Sequence, residues 1–271
     1  MVVQHNMRAL NSNRMLGLTA QAQNKSTEKL SSGYRINRAA DDAAGLSISE
    51  SMRRQIRGLT QASRNAQDGV SFAQTAEGAL AEVQDMLQRM NELLVQAANG
   101  TNSETQIGYI NDEISNLKDE IDRIGSDTTF NGQKLFDASN KRAIFVGAES
   151  DDDDITIEVH DLSSDEIGIG NVGEAEDNAG SKANIADVKK ALETISSWRS
   201  ELGAKQNRLE HSINNLDNIV ENTTAAESRI RDTDMATEMV KYSNANILAQ
   251  AGQAMLAQSN TANQGVLSLL Q

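Results

Sequence analysis

The sequence predicts a mainly α protein. Long antiparallel, coiled-coil-like helices come from the N- and C-terminal parts of the chain, with a small β-hairpin element in the chain middle. Three observations predict it. The 271 residues include no Pro and only 18 Gly, so helix breakers are scarce, and 3% aromatics do not suit a compact β core. Apolar residues recur at alternating spacings of three and four in three stretches, the period that buries one seam between helices. The last thirty residues, Tyr242 to Gln271, carry no charged side chain in a chain that is 24% charged.

At the N-terminus, MVVQHNMRALNSNRM has no apolar stretch of the roughly 7–15 residues that a conventional secretory signal requires. The first forty residues carry six basic side chains (Arg8, Arg14, Lys25, Lys29, Arg35, Arg38) and one acid, Glu28. Residues 235–271 carry only Glu238 and Lys241, so with +5 in the first forty and a total of −14, residues 41–234 hold −19. An acidic middle disfavours nucleic acid, which needs clustered Lys and Arg. It suits a solvated, non-sticky outer surface. A basic end and an uncharged end repel each other little if they must pack.

The first seam is Leu59, Ala62, Ala66, Gly69, Ala73, Ala76, Leu80, Val83, Leu87, Met90, Leu94 and Ala97. Small residues in its first half allow a partner backbone to come close. A helix starting near Ala43 would run on the order of 80 Å. Asn99-Gly100 is expected to end it, with Gly in the left-handed conformation. The second seam is Ile107, Ile110, Ile114, Leu117, Ile121 and Ile124. Around Phe130-Asn131-Gly132 the period changes; short segments Lys134 to Phe136, Ala143 to Val146 and Ile155 to Val159 read as strands. Residues 160–187, rich in Gly, Asp, Ser and Asn, read as an exposed connection. The third seam is Val188, Leu192, Ile195, Leu202, Leu209, Ile213, Leu216 and Val220, interrupted at Arg199 and Gln206. The terminal segments face each other, the inner helices pack antiparallel, and the chain goes out and comes back. The uncharged end is too polar to span a membrane, since its longest apolar run is far below about 18 residues. It is too apolar for a solvated tail, and so points to assembly rather than catalysis.

Leu30-Ser31-Ser32-Gly33-Tyr34-Arg35-Ile36-Asn37 and Ala39-Ala40-Asp41-Asp42-Ala43-Ala44-Gly45-Leu46 resemble the N-terminal signature of bacterial flagellins. Leu59 to Ala66 (LTQASRNA) and Ala76 to Leu80 (AEGAL) continue it, while Asn222 to Asp234 (NTTAAESRIRDTD) and Asn263 to Leu270 (NQGVLSLL) resemble the flagellin C-terminus. The resemblance covers residues 1–150 and 183–271, with the variable outer domains of longer relatives largely missing. It implies a secreted protein of the extracellular flagellum that polymerises with itself, leaves through the flagellar type III apparatus with an export chaperone, and meets hook-associated and cap proteins. It divides the chain into residues 1–42 (N-terminal segment of an inner helical hairpin plus a spoke), 43–180 (outer core: long helix, second helix, hairpin), 181–233 (C-terminal helix of the outer core) and 234–271 (C-terminal segment of the inner hairpin). The alternative within this architecture is the hook–filament junction protein. A secreted helical adaptor or adhesin, from another class, would stay a soluble monomer.

The resemblance also implies two recognition sites. Gln88, Arg89, Leu93 and Glu113 occupy positions similar to those by which Toll-like receptor 5 recognises flagellins. Arg89 and Leu93, four apart, would share a helix face, and Arg beside an apolar anchor is a reasonable hot spot. Asn91 stands where strongly stimulating relatives carry a basic residue. Val3, Met7, Leu10, Val266, Leu267, Leu269 and Leu270 would serve polymerisation, and the last four would be read by cytosolic inflammasome receptors. No enzyme, cofactor or metal is expected. Zero Cys excludes thiolate sites; His5, His160 and His211 are scattered, with no H-E-x-x-H. Asp151 to Asp154 lacks the alternation of a calcium loop and reads as a solvated turn. The Gly168–Gly173 segment has the wrong spacing for a dinucleotide loop, and no Ser sits in a nucleophile elbow.

Overall fold

The computed structural model describes residues 6–137, 141–148, 154–173 and 178–268; for residues 178–179 and 263–268 it describes the backbone. In chain order the elements are α1 (Met7–Ser32), α2 (Ala43–Ala97), α3 (Glu104–Asp127), β1 (Thr129–Phe130), β2 (Gln133–Lys134), β3 (Lys141–Phe145), β4 (Asp154–Glu158), α4 (Asn178–Arg231) and α5 (Met235–Ser268). They form two compact units, Met1–Ile56 with Glu221–Gln271, and Arg57–Val220.

In the terminal unit, side chains start and stop the helices. Asn6 Oδ1 accepts from Ala9 N at 3.0 Å to open α1, satisfying one of the amides a helix start leaves unpaired. Gly33, at φ +76, closes it by donating its N–H to the Lys29 carbonyl at 2.9 Å. Asp42 accepts from Gly45 N at 2.9 Å at the head of α2. Asp234 accepts from Ala236 N (3.0 Å) and from the Thr237 hydroxyl (2.6 Å) at the head of α5. The turn after α1 is tied to the end of α4. Arg35 N donates to the Arg231 carbonyl (2.6 Å), Thr233 N donates to the Gly33 carbonyl (3.0 Å), and the Arg231 guanidinium lies 4.7 Å over the Tyr34 ring.

In the Arg57–Val220 unit the core follows the seams. Every residue of the α2 seam from Leu59 to Ala97 is buried. On α3, Ile107, Ile110, Ile114 and Ile121 are buried, and on α4 so are Val188, Ile195, Leu202, Leu209 and Leu216. α2 and α4 run antiparallel: Ser63 Oγ donates to Asp217 (3.0 Å), Leu209 lies against Gly69, and Arg199 reaches Gln84 (2.7 Å) and Glu77 (3.2 Å). Those last contacts explain the interruption at Arg199, since a half-buried guanidinium there finds polar partners on α2. The small half of the seam admits the hairpin. A Cβ on Gly69 would stand 3.1 Å from Ile144, and one on Gly58 3.3 Å from the Ala148 carbonyl oxygen.

Four expectations change. Gly100 does not adopt positive φ; the α2–α3 turn is closed by Asn99 N donating to the Gln96 carbonyl and Asn102 N to that of Asn99, both at 3.2 Å. Residues 160–173 are no exposed connection, because Leu162, Ile167, Ile169 and Val172 join the core. Asp122 of α3 holds that segment by accepting from Ser164 N (2.7 Å) and Oγ (3.0 Å). α4 begins at Asn178, a turn and more before its seam. Lys134–Phe136 is not one strand. Asn131 (φ +52) and Gly132 (φ +76) make the two-residue loop of a β1–β2 hairpin, and Leu135 and Phe136 leave it for the core. β3 and β4 pair antiparallel, Ile144 opposite Ile155. Asp154 opens β4, whereas Asp151 to Asp153 lie outside the described residues.

Leu80 is 2% exposed at the centre of this core. Leu80→Ala should lower unfolding free energy by about 2–5 kcal/mol in urea titration, because the surrounding helices cannot close the void.

Candidate assembly interface

The buried and half-buried positions of α1 include Ala9, Ser12, Leu16, Thr19, Gln23, Ser26 and Leu30; those of α5 include Glu238, Tyr242, Ala245, Ala249, Gly252, Leu256 and Ser259. Both sets alternate spacings of three and four, so each helix offers one seam to the other. The pair is antiparallel. Ser26 Oγ donates to Glu238 Oε1 (2.8 Å) at one end, Asn6 Nδ2 donates to the Ser259 carbonyl (3.2 Å) at the other, and Leu16 lies on Gly252 between them.

This seam is mostly Ala, Ser, Thr, Gly and Gln, which lets the helices approach closely and limits its large members to Leu16, Leu30, Tyr242 and Leu256. The other large aliphatic residues point away. Met7, Leu10, Met15 and Leu18 on α1, and Met239, Val240, Ile247, Leu248 and Met255 on α5, are 51% to 69% exposed. A groove of about 310 Å³ runs between the helices, lined by Met15, Leu16, Leu248, Gly252 and Met255 with Asn11, Ser12, Thr19 and Ala251. Apolar surface on this scale marks an interaction site. No helix of the described residues is long and apolar enough to cross a membrane.

Charge in this unit is held in specific contacts. Burial opposes ionisation of Glu238, but hydrogen bonds from Lys241 Nζ (2.9 Å) and Ser26, with Lys29 nearby, hold its carboxyl below the usual range. Hydrogen bonding from Lys25, and from the backbone of Arg38 and Asn37, lowers Asp41. Hydrogen bonding from Arg231 lowers Glu50, and the Thr237 hydroxyl with two backbone amides lowers Asp234.

Of the residues expected to serve polymerisation, Met7 and Leu10 lie on the outward aliphatic face. Val266 and Leu267 lie on the helical backbone of α5, and Val3, Leu269 and Leu270 fall outside the described residues. Of the proposed receptor set, α2 and α3 bring Arg89 and Glu113 together: Arg89 Nη2 and Nε donate to Glu113 Oε1 at 2.9 and 3.1 Å, and Nη1 to Glu92 at 3.3 Å. Gln88 is exposed beside them. Leu93 is different. At 2% exposure it belongs to the core, not to the face of Arg89, because this stretch of α2 packs on both α3 and α4 and so buries the neighbours Leu93 and Leu94 together. Sequence reasoning missed the polar contacts of Ser26, Glu238, Asn6 and Ser259. One signal was available: Glu238 is the single acid of residues 235–271.

Helices that pair the two ends of a chain and turn their aliphatic side chains outward define a structural subunit of an assembly. Residues 3–141 match the family described as the bacterial flagellin N-terminal helical region, and residues 185–270 match the bacterial flagellin C-terminal helical region. A flagellin of Halalkalibacterium halodurans is 51% identical over 272 residues, with all of both chains covered. One of Bacillus subtilis is 48% identical over 303 residues, again with both chains covered in full. A crystal structure of Bacillus cereus flagellin shares 32% identity at a TM-score of 0.49, covering 56% of this chain and 88% of its own. The chain belongs to the bacterial flagellin family, the structural subunits of the flagellar filament.

Asp41, Glu50, Asp234 and Glu238 are all lowered in the folded state, so their contribution to stability is present above their ordinary values of 3.8 and 4.5 and is lost as pH falls through the lower folded values. Acidification from pH 5 toward pH 2 should therefore loosen the terminal unit, seen as lower amide protection in α1 and α5 once exchange is divided by its intrinsic rate at each pH. Protection there that stays constant across that range would contradict the assignment.

Proposed function

We propose that this chain builds the filament by burying the outward aliphatic face of α1 and α5 against other copies of itself, in support of swimming motility. The observation that supports it most is the packing of the terminal pair, with mostly small residues inside and nine Met, Leu, Ile and Val side chains more than half exposed outside. Contacts between different patches of identical subunits generate a helical polymer of open length when their rotation does not close into a ring. The absence of charge from Tyr242 onward supports the same reading, since no carboxylate or ammonium has to be desolvated there. In this proposal the chain leaves the cell through the flagellar type III apparatus, with an export chaperone covering the C-terminal region until assembly, and works beside hook-associated and cap proteins. In the same proposal, Val266, Leu267, Leu269 and Leu270 are the residues that cytosolic inflammasome receptors read.

A second proposal concerns host recognition. Arg89 and Glu113, 24 residues apart in sequence, share one exposed surface with Gln88, and this polar cluster supports binding by Toll-like receptor 5. Leu93 then acts from beneath, by fixing the position of α2 rather than by touching the receptor.

Deleting Ser259 to Gln271 should abolish filaments in electron microscopy after seeding while circular dichroism still reports the helices of residues 57–220; normal filaments from the truncated chain would refute the assembly proposal. Long filaments from the intact chain, rather than single rings, distinguish it from a hook–filament junction protein. For the receptor site, Arg89→Asp should weaken binding to the receptor ectodomain by roughly tenfold or more, the usual scale for losing an interface hot spot. Unchanged affinity would remove the assignment.

A further inference from the structure

We propose that the buried Glu238–Ser26 contact sets the register of α1 against α5. Glu238 is the one buried carboxylate among the described residues, 4% exposed, and Ser26 beside it is 7% exposed. Both carboxylate oxygens are occupied, Oε1 by the Ser26 hydroxyl at 2.8 Å and Oε2 by the Lys241 ammonium at 2.9 Å.

The rest of the seam says little about register. With Ala, Ser, Thr and Gly at most positions of the three–four repeat, sliding one helix by seven residues mostly replaces small side chains with small side chains, and re-pairs the larger Leu16, Leu30, Tyr242 and Leu256 without burying a charge. After such a slip Leu16 would meet Ala245 or Ser259 in place of Gly252. The carboxylate, by contrast, has few acceptable positions. In one direction Glu238 would face Thr19, whose hydroxyl already donates to the Met15 carbonyl at 3.0 Å. In the other it would pass the end of α1 at Gly33, while Ser26 would face Ala245. A buried carboxylate without its donors is disfavoured far more than a misplaced alanine. The backbone tie between Gly33 and Thr233 is the competing cause of register, and it is left intact by substitutions at Ser26 and Glu238.

Register decides which aliphatic side chains of α1 and α5 lie side by side on the outer face, so a slipped pair would present a different surface to its neighbours. That consequence rests on the assembly reading above; the register itself does not.

The chain has no Cys, so introduced pairs report cleanly. A Cβ on Gly252 would stand 3.9 Å from the Leu16 Cβ, within the span of a disulfide. Full-length protein carrying Leu16→Cys with Gly252→Cys reports the native register; Leu16→Cys with Ala245→Cys, or with Ser259→Cys, reports the two slipped ones. Under mild oxidation the native pair should dominate. Adding Glu238→Ala should cut the ratio of native to slipped cross-link by roughly tenfold or more, the scale of a charged hydrogen bond. Glu238→Gln, which keeps an acceptor for Ser26, should leave the native pair in excess. An unchanged ratio in Glu238→Ala would assign register to the Gly33–Thr233 tie and overturn the proposal. Loss of α1 and α5 helicity in Glu238→Ala, by circular dichroism, would overturn it as well, by making the contact a requirement for folding. A shifted ratio with unimpaired filaments would uphold the register role and count against the assembly reading instead.

Discussion

Close approach of α1 and α5 is the constraint on which the terminal unit depends. Two helices that meet through Ala9, Ser12, Ala245, Ala249 and Gly252 leave space between them for few large side chains, Leu16 being seated where Gly252 makes room for it. The hydrophobic effect then has only one outlet for Met7, Leu10, Ile247, Leu248 and Met255, which is burial against something outside the pair. A helix with no charge after Lys241 can accept that burial there without desolvating an ion. The tendency to assemble is thus a consequence of small side chains at the seam as much as of large ones on the surface.

The Arg57–Val220 unit follows the opposite rule. Large aliphatic residues of α2, α3 and α4 interdigitate inside, and ion pairs such as Arg89 with Glu113 remain at the surface, where they contribute little to stability but keep the outside polar. Phe72 and Phe130 meet edge to face at 5.7 Å, joining α2 to the β1–β2 hairpin, and His160 stacks on Trp198 at 4.7 Å. The two β pairs are too short to stand alone; β3–β4 joins the core through Ile144, Ile155 and Ile157, and β1–β2 through Phe130.

Between α1 and α2 on one side, and α4 and α5 on the other, the chain changes direction at points that are stitched together. Two backbone hydrogen bonds and the Arg231–Tyr34 contact join the turns, and Arg231 also donates to Glu50 at 2.8 Å. Two ion pairs, Lys25–Asp41 and Arg231–Glu50, thereby hold the local geometry of these turns.

The helices and seams of residues 59–97, 107–124 and 188–220 were legible because they depend on local periodicity, whereas the small-residue seam of α1 and α5 carries too little apolar contrast to be read that way. The uncharged end was legible as a run. Partnership between distant segments was not. Leu93 looked like a surface residue because one seam was read, whereas α2 serves two partner helices. Leu162, Ile167, Ile169 and Val172 are spread among Gly, Asp and Ser, so no period announces that they enter the core. Glu238 and Ser26 lie 212 residues apart, and neither signals the other along the chain. Local pattern fixes which residues of a helix share a face; only folding in three dimensions decides what each face meets, because contact energies depend on neighbours that linear order does not specify.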